Sequence, residues 1–393
     1  MSLLPQLPSP PRGKSGWPWT EEVSQERYSD IAEWPRVTIV TPSFNQADFL
    51  EETLRSVILQ NYPNLQFIVM DAGSTDSSKE ILDKYSRWLD FWESKPDEGQ
   101  SHAIQKGLNL ADGEWFNWLN SDDFLLPEGL AALVEVTSPN TICVSGVTQN
   151  QRALDVFSTY RANIPENDSE SVSFLSVNQP GSLLRLDAVH QVGGIRRDFD
   201  YVMDLDLWLR MGLSFGFDKF ASIDSAIAVY RYHEDSKTCS EDDVFALEQF
   251  ALLTDFAISR GVKFSEVILK LRASCPADQV DYAHLSSSVY SNNAEFEWLE
   301  RMILRDSLLF RAIRQLGPKD RVALKSYHKI LIELAPLFER HIPHPKRTLG
   351  IALVEAMETA RVTSLSLCFT ALKSSMDWKT LRALLAIIAR PSR

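Results

Sequence analysis

Four short polar segments, each at or just past the end of a predicted strand, constrain this chain more than any other feature of its sequence. They are TPSFN at 41–45, DAGSTD at 71–76, DEGQS at 97–101 and NSDD at 120–123. In an open α/β sheet the carboxyl ends of the strands meet at one edge, and ligands bind at that edge. A single acidic strand end is commonly a helix cap, as expected for Asp76 taken alone. Four such ends predict one polar, acidic binding site.

The remaining sequence supplies the alternation that such a sheet requires. Apolar runs predict strands at 37–41, 66–70, 91–93, 115–119, 141–147, 183–186 and 225–232. Residues with helical spacing predict helices between them at 47–60, 77–88, 100–110, 127–136 and 205–211. Alternating strands and helices are typical of a parallel sheet with right-handed crossovers, covered by helices on its faces.

Three segments are predicted along the chain. Residues 1–35 hold five of the 19 prolines by position 18 and are expected to form an extended leader. Residues 36–240 form the α/β domain. Residues 241–393 form a helical C-terminal domain, with helices predicted at 243–259, 294–315, 318–339, 348–372 and 378–389.

Charge and composition exclude several functions. With a formal net charge of −13, the chain lacks the excess of Lys and Arg that a general nucleic-acid binder needs, so no nucleic-acid partner is expected. The four cysteines form no CxxC pair, which favours reduced thiols over a zinc site. No apolar run reaches the ~18–20 residues of a membrane span, and the N-terminus has no apolar signal-peptide core. A cytoplasmic protein is therefore expected.

The C-terminal tail differs from the acidic body. Residues 340–393 contain nine basic and three acidic residues, a net charge of +6. The predicted helix at 377–390 places leucines on one face with basic residues nearby, as a helix lying on a membrane surface does. The tail is therefore a candidate for peripheral contact with the inner face of the membrane. The alternatives, a helix that packs within the C-terminal bundle or a dimer contact, remain open at this point.

The site chemistry points to a phosphate ligand held by metal. The chain has no GxGxxG after its first strand and no GxxxxGK[ST], which disfavours a nicotinamide-dependent oxidoreductase and a P-loop NTPase. Carboxylates would repel a diphosphate unless a divalent cation lay between them. Asp122 and Asp123 supply the hard oxygen ligands that suit Mg²⁺ or Mn²⁺.

Seven motifs occur in the order and context of one known family. They are VTIVTPSFN at 37–45, LxS at 54–56, QxY at 60–62, VMDAGSTD at 69–76, AIQKG at 103–107, WLNSDD at 118–123 and DLDLWLR at 204–210. Together they make residues 36–235 similar to the family-2 glycosyltransferases, inverting enzymes of bacterial surface polysaccharide assembly. The resemblance implies a GT-A fold, a Rossmann-like, mostly parallel central sheet flanked by helices, here followed by a helical C-terminal region.

The resemblance also assigns roles to particular residues. The resemblance implies nucleotide binding by Thr41, Pro42, Asp71, Lys106 and Asp122. It implies metal binding by Asp123 and His233, the latter within an R-x-H element, and makes Asp204 the catalytic base. It places Gln179, Arg185 and Gly193 on the acceptor side. The chain departs from many relatives in having Asn120 and Ser121 where they carry a further aspartate.

The implied activity is transfer of a single sugar from a UDP-, GDP- or dTDP-linked donor to a hydroxyl of a saccharide or lipid-linked acceptor. One base and one metal, Mn²⁺ or Mg²⁺, imply single displacement with inversion. A processive synthase is disfavoured because the chain has no QxxRW motif. A non-catalytic nucleotide-sugar-binding protein of the same fold is the alternative, although such a protein is expected to lose the base that Asp204 supplies.

Overall fold

A computed structural model of the 393-residue chain describes residues 2–31, 33–164, 175–233 and 242–259, together with Ser236, Leu269, Arg272, Ala273, Cys275, Gln279, Val280 and Tyr282. The chain divides into two compact units. The first contains the described residues up to Ser236, and the second contains those from Asp242 onward. The predicted helices beyond residue 290 and the basic tail lie outside the described residues.

Within its described residues the first unit contains nine strands: β1 (Val37–Ser43), β2 (Leu65–Asp71), β3 (Phe91–Ser94), β4 (Trp115–Trp118), β5 (Phe124–Leu125), β6 (Cys143–Arg152), β7 (Asp155–Tyr160), β8 (Ser182–Arg185) and β9 (Phe220–Tyr232). Its α-helices are α1 (Ala47–Ile58), α2 (Ser78–Tyr85), α3 (Gln100–Leu108), α4 (Gly129–Glu135), α5 (Leu186–Gln191) and α6 (Met203–Phe215). Short 3-10 turns span Leu4–Gln6, Gln25–Tyr28, Ser86–Trp88, Gln179–Gly181 and Phe217–Lys219.

The strands form one mixed sheet in the order β3-β2-β1-β4-β8-β6-β9-β5, with β7 paired to β6. The first four strands are parallel, as expected from their alternation with helices. The second half of the sheet is different, because β8 runs antiparallel to both β4 and β6. The expected mostly parallel sheet therefore describes its N-terminal half, and one strand reverses the direction in the middle.

Helix α1 is held in place by apolar residues at helical spacing. Leu50, Leu54 and Val57 recur at intervals of three or four residues and are fully buried in the same hydrophobic core as Ile39 and Val69 of the sheet. Burying each such side chain contributes about 1.5–3 kcal/mol. This packing holds the start of α1 at the carboxyl end of β1, where the site is expected.

Within the predicted leader at 1–35, the described residues pack against the α/β domain. The fully buried guanidinium of Arg55 on α1 donates hydrogen bonds to the carbonyls of Pro8, Pro18 and Trp19 at 2.8–2.9 Å. The Trp17 indole N–H also donates to Leu125 O at 2.7 Å. Because proline leaves no N–H to satisfy at its own position, a proline-rich segment can lie over a helix and serve mainly as acceptor.

β1 is longer than expected, because it runs through Pro42 to Ser43. Its pairing with β4 ends at Val40, whereas its pairing with β2 continues to Ser43. Proline is tolerated where a strand has lost one of its two neighbours. Strands β5 and β7 and helix α5 were not predicted.

The second unit is described through α7 (Asp242–Ser259) and the isolated residues that follow. The buried carboxylate of Asp255 pairs with Arg272 and also accepts the Val280 N–H at 2.9 Å. Within the described part of the chain, no helix is both long and apolar enough to cross a membrane.

Candidate active site

The Asp122–Asp123 pair lies in a tight turn between β4 and β5. The turn is closed by the Asp123 N–H, which donates to Asn120 O at 3.0 Å. The Asp122 side chain is 21% exposed, whereas Asp123 is fully buried. Burial and the adjacent Asp122 carboxylate together raise the pKa of Asp123. Two neighbouring carboxylates at one strand end therefore form an electrostatically unfavourable pair that a cation would stabilise.

Arg231 of β9 fastens this turn to α1. Its backbone N–H donates to Asp123 Oδ1 at 3.0 Å, and its guanidinium donates to Asp122 O. The same guanidinium pairs with Glu52 at 2.6 Å and donates to Thr53 Oγ1 at 3.1 Å. Burial lowers the pKa of Arg231, and Glu52 and Asp123 partly offset that effect. Arg231 is therefore a buried cation that links β9, the turn with Asp122 and Asp123, and α1.

His233 lies above the same turn, with its Nε2 3.1 Å from Asp122 Oδ2. Its ring packs against Phe49 with the centroids 4.5 Å apart. Phe49 also lines a polar cleft of about 500 Å³ between the loops after β1 and β2. The structure thus brings Asp122, Asp123 and His233 together, next to a cleft at the carboxyl ends of the parallel strands.

The side chains at this turn include donor atoms of the type that divalent cations bind, but with the residues that the structure describes they do not form a complete metal site. Asp123 Oδ2 is buried and has no hydrogen-bond partner within the part of the chain that the structure describes. Asp122 and Asp123 offer the carboxylate oxygens that suit Mn²⁺ or Mg²⁺, and His233 places an imidazole nitrogen beside Asp122. Among the described residues no three His, Cys, Asp or Glu side chains are gathered into a metal-binding group. Oxygens from a bound substrate would therefore have to complete the shell.

Asp71 organises the loop after β2. Its carboxylate is buried and accepts hydrogen bonds from the Gly73 and Ser74 N–H groups at 3.1 and 2.9 Å and from Ser94 Oγ at 2.6 Å. Asp76, further along the loop, caps α1 by accepting the Ala47 N–H at 2.9 Å. Burial raises the pKa of Asp76, but hydrogen bonds from Ser78 and Ala47 outweigh it and lower the pKa overall.

The other residues expected at the nucleotide lie around Asp71. Lys106 of α3 pairs with Glu93, which lies beside Met70 in the register of β2 and β3. Thr41 is fully buried, and its Oγ1 has no hydrogen-bond partner within the described ranges. Pro42 lies beside Met70 on the other flank of β2. Asp71, Lys106, Thr41 and Pro42 therefore share one edge of the sheet.

Gln179, in the 3-10 turn before β8, contacts the turn at 120–123, which we call the acid turn. Its side-chain amide donates to Trp118 O, and its Oε1 accepts from Asn120 at 3.5 Å. On the other side of Asn120, Gln100 Nε2 donates to Asn120 Oδ1 at 2.8 Å. Asn120 thus links the start of α3 with Gln179, which places Gln179 at the site.

Asp204 lies in the first turn of α6, and its Oδ1 accepts the Leu205 N–H at 2.7 Å. The segment before α6 is tied to the start of α3 by Ser101 Oγ, which donates to Phe199 O at 2.5 Å. Burial raises the pKa of Asp204 to about 6. A partly buried carboxylate with this pKa is suited to accept a proton near neutral pH.

Asp206, on the same helix, has a structural role. It is fully buried and accepts from Arg210 Nε at 2.8 Å, while Arg210 Nη2 also donates to Gly194 O at 2.8 Å. The ion pair therefore holds the loop before α6 in place and occupies the Asp206 carboxylate.

Arg185 does not lie at the site, contrary to the expectation from the family resemblance. It pairs with Trp115, at the start of β4, whereas Asn120 follows the end of β4. Because β8 runs antiparallel to β4, its first residues approach the site and its last residues leave it. Arg185 contacts the Trp115 ring, with its Cζ 4.9 Å from the centroid, and Glu114 at 3.1 Å.

Gly193 is also not brought to the acid turn. With a φ of +89°, it ends α5 in the left-handed region that favours glycine. The following Ile195 N–H donates to Gln105 Oε1 at 2.7 Å, in the second half of α3. The contact between α3 and Asn120 is made by Gln100, at the other end of the helix, so Gly193 is a turn residue away from the Asp122–Asp123 turn.

Three residues of the site escaped sequence reasoning: Glu52, Thr53 and Arg231. Arg231 is the arginine of the R-x-H element and could have been found from that motif, although only its histidine was assigned a role. Glu52 and Thr53 carry no local signal, because their contact with Arg231 spans 179 and 178 residues of sequence.

The comparisons with known proteins agree with this geometry. Residues 38–185 match Glycosyl transferase family 2. An uncharacterized glycosyltransferase of Rickettsia bellii (strain RML369-C) is 25% identical over 229 residues, which cover 54% of this chain and 32% of that protein. A putative teichuronic acid biosynthesis glycosyltransferase, TuaG of Bacillus subtilis (strain 168), is 34% identical over 92 residues, which cover 23% of this chain and 36% of that protein.

Among solved structures, S. aureus TarS 1-349 in complex with UDP-GlcNAc aligns with a TM-score of 0.48 and 15% identity, covering 90% of each chain. The matched segments of the two sequence relatives span about a third of those proteins' own length.

The mixed α/β sheet, flanked by helices and with acidic side chains at its strand ends, is the architecture expected of the GT-A class. The family match over residues 38–185 assigns this α/β domain to glycosyltransferase family 2.

Proposed function

We propose that the protein is an inverting glycosyltransferase that moves one sugar from a nucleoside-diphosphate sugar to an acceptor hydroxyl. The observation that carries this proposal is the fixed cluster of Asp122, Asp123 and His233 at the strand ends of a family-2 domain. The name of the B. subtilis relative refers to teichuronic acid biosynthesis, which supports a saccharide as the acceptor. The donor would be linked to UDP, GDP or dTDP.

Asp204 is proposed as the base. A hydroxyl is a weak nucleophile, so a carboxylate has to accept its proton as the oxygen attacks the anomeric carbon. With a pKa of about 6, Asp204 is ionised at neutral pH and still basic enough to accept that proton. Since a single base acts on the acceptor and no second carboxylate forms a covalent intermediate, the configuration at the anomeric carbon inverts.

The acid turn is proposed to hold the leaving group. Asp123 Oδ2, Asp122 and His233 are the donors that would bind Mn²⁺ or Mg²⁺. When bound, the cation would supply Lewis-acid stabilisation of the charge on the departing diphosphate. Arg231 holds the turn in place through Asp123 and Glu52. Thr41, Pro42, Asp71 and Lys106 are proposed to line the nucleoside side, and Gln179 the acceptor side.

Calorimetry tests this proposal directly. The full-length protein is titrated with UDP, GDP and dTDP, with Mn²⁺ and with EDTA. We expect one nucleotide to bind in Mn²⁺ and the affinity to fall at least tenfold in Asp123→Ala. The matched control is Asp83→Ala, which removes an exposed carboxylate from α2. Nucleotide binding that is equal in both variants and insensitive to EDTA would show that Asp123 is not a metal ligand.

A further inference from the structure

Four aromatic side chains share one face of the sheet where β6, β7 and β9 meet. Asn150 lies opposite Tyr230, and Arg152 lies opposite Tyr232. Thr148, which has the same orientation as Asn150, lies opposite Tyr160 of β7. Residues directly opposite one another project to the same side of a sheet. Tyr160, Tyr230 and Tyr232, together with Phe157, which contacts Tyr232, form what we call the aromatic face.

The rings of the aromatic face contact one another edge to face. Tyr230 and Tyr232 have centroids 4.9 Å apart, and Tyr232 and Phe157 have centroids 5.1 Å apart, both T-shaped. Phe157 is 53% exposed and Tyr160 is 46% exposed. Large exposed apolar groups that lie next to each other mark a binding surface more often than scattered ones do.

Polar groups lie among these rings. Asn150 Nδ2 donates to Ser158 Oγ at 2.9 Å, which leaves the amide oxygen of Asn150 on the same face. The Arg152 guanidinium lies 5.6 Å from the Phe157 centroid. Flat apolar rings next to amide, hydroxyl and guanidinium groups match the two chemical surfaces of a sugar ring, its C–H faces and its hydroxyl rim.

The aromatic face is continuous with the candidate active site at two points. The Asn178 amide donates to Tyr160 O at 2.9 Å, and the next residue, Gln179, contacts the acid turn through Asn120. At the other point, Tyr232 directly precedes His233, which pairs with Asp122. The strands that carry these rings are therefore anchored beside Gln179 and His233.

We infer that the aromatic face is a subsite for a saccharide chain, which holds acceptor sugars beyond the one that receives the transferred residue. The inference rests on the proposed function and specifies its acceptor as an oligosaccharide. A second copy of the protein pairing through β7 is the main competing occupant. The bulge between Asn150 and Gln151 and the charge of Asp155 disfavour it, because bulges and charges prevent edge-to-edge pairing.

The test measures saccharide binding without a nucleotide donor or divalent cation, so it is independent of catalysis. The full-length protein is applied to an array of defined bacterial surface oligosaccharides, and the strongest binder is titrated by saturation-transfer NMR. We expect Phe157→Ala and Tyr160→Ala each to weaken binding about tenfold, and Phe157→Tyr to preserve it. The matched control is Phe91→Ala, which removes a ring that is 41% exposed on β3, at the opposite end of the sheet.

The outcomes separate this inference from the proposed function. Loss of binding in Phe157→Ala, with normal binding in Phe91→Ala and unchanged circular dichroism, supports the subsite. Unchanged binding in Phe157→Ala overturns it, as does a wild-type protein that binds no oligosaccharide. A wild-type dimer that Phe157→Ala dissociates in sedimentation velocity also overturns it, in favour of a second copy. Failure of the proposed function would appear elsewhere, as absent binding of every nucleoside diphosphate.

Discussion

Replacing Asp204 with asparagine is expected to make the protein more stable and less active at the same time. The carboxylate lies at the start of α6, where burial raises its pKa from the ordinary 3.8 to about 6. A group whose pKa is raised by folding stabilises the fold when protonated, and this contribution is lost as the pH rises through the folded pKa. At pH 8 wild-type Asp204 is ionised in both the folded and the unfolded state. The folded state therefore carries the full free-energy cost of holding this carboxylate in its charged form.

The size of that cost follows from the two pKa values. A tenfold change in an ionisation constant corresponds to about 1.4 kcal/mol, so the ionised form of Asp204 destabilises the fold by about 3 kcal/mol at pH 8. Asparagine has the same shape, keeps an oxygen for the Leu205 N–H and carries no charge. Asp204→Asn should therefore raise the free energy of unfolding by up to about 3 kcal/mol at pH 8, and the gain should shrink towards zero as the pH is lowered to 4.

The matched control is the same substitution two residues further along the helix. Asp206→Asn breaks the buried pair with Arg210 and should lower the free energy of unfolding by about 3–5 kcal/mol. Urea unfolding followed by tryptophan fluorescence at pH 4, 6 and 8 measures both differences from wild type. An Asp204→Asn protein that is less stable than wild type at pH 8, or a gain that does not change with pH, would refute the reasoning.

Two further predictions concern catalysis. If Asp204 must be ionised to act, kcat/KM should fall about tenfold for each pH unit below its pKa of about 6 and level off above it. The assay measures nucleotide release, and a profile that is flat between pH 5 and 8 would contradict this prediction. Glu52→Gln removes the charge of one partner of Arg231 and should weaken donor binding about tenfold through the acid turn. Arg185→Ala, on β8 opposite the start of β4, should leave donor KM and kcat unchanged in the same steady-state assay.

The strand ends could be predicted because their signals are local. An apolar run followed by polar residues indicates where a strand stops, and the carboxyl ends of β1, β2 and β4 lie together because those strands are parallel. The sequence alone therefore predicts that Asp71 and Asp122 share one edge of the sheet. His233 joined them only through the family resemblance.

The direction of β8 could not be predicted, because apolar spacing is the same for parallel and antiparallel strands. That one reversal separates Gln179, which lies at the site, from Arg185, which lies at the other end of the sheet. β7 could not be predicted for another reason: all six of its residues are exposed, so it shows no alternation of buried and exposed residues. The packing of residues 2–31 depends on Arg55, whose partners at Pro8 and Pro18 are 47 and 37 residues away.

The central claim is that this domain transfers a sugar with inversion, and proton NMR of the reaction tests it most directly. The full-length protein is incubated with Mn²⁺, the nucleotide sugar that binds in calorimetry and the oligosaccharide that binds the aromatic face. The coupling constant of the new anomeric proton is then compared with that of the donor. We predict a product whose anomeric configuration is opposite to that of the donor, formed ~10²–10⁴-fold more slowly by Asp204→Asn. A product with the donor's configuration, or a rate unchanged by Asp204→Asn, would contradict the account.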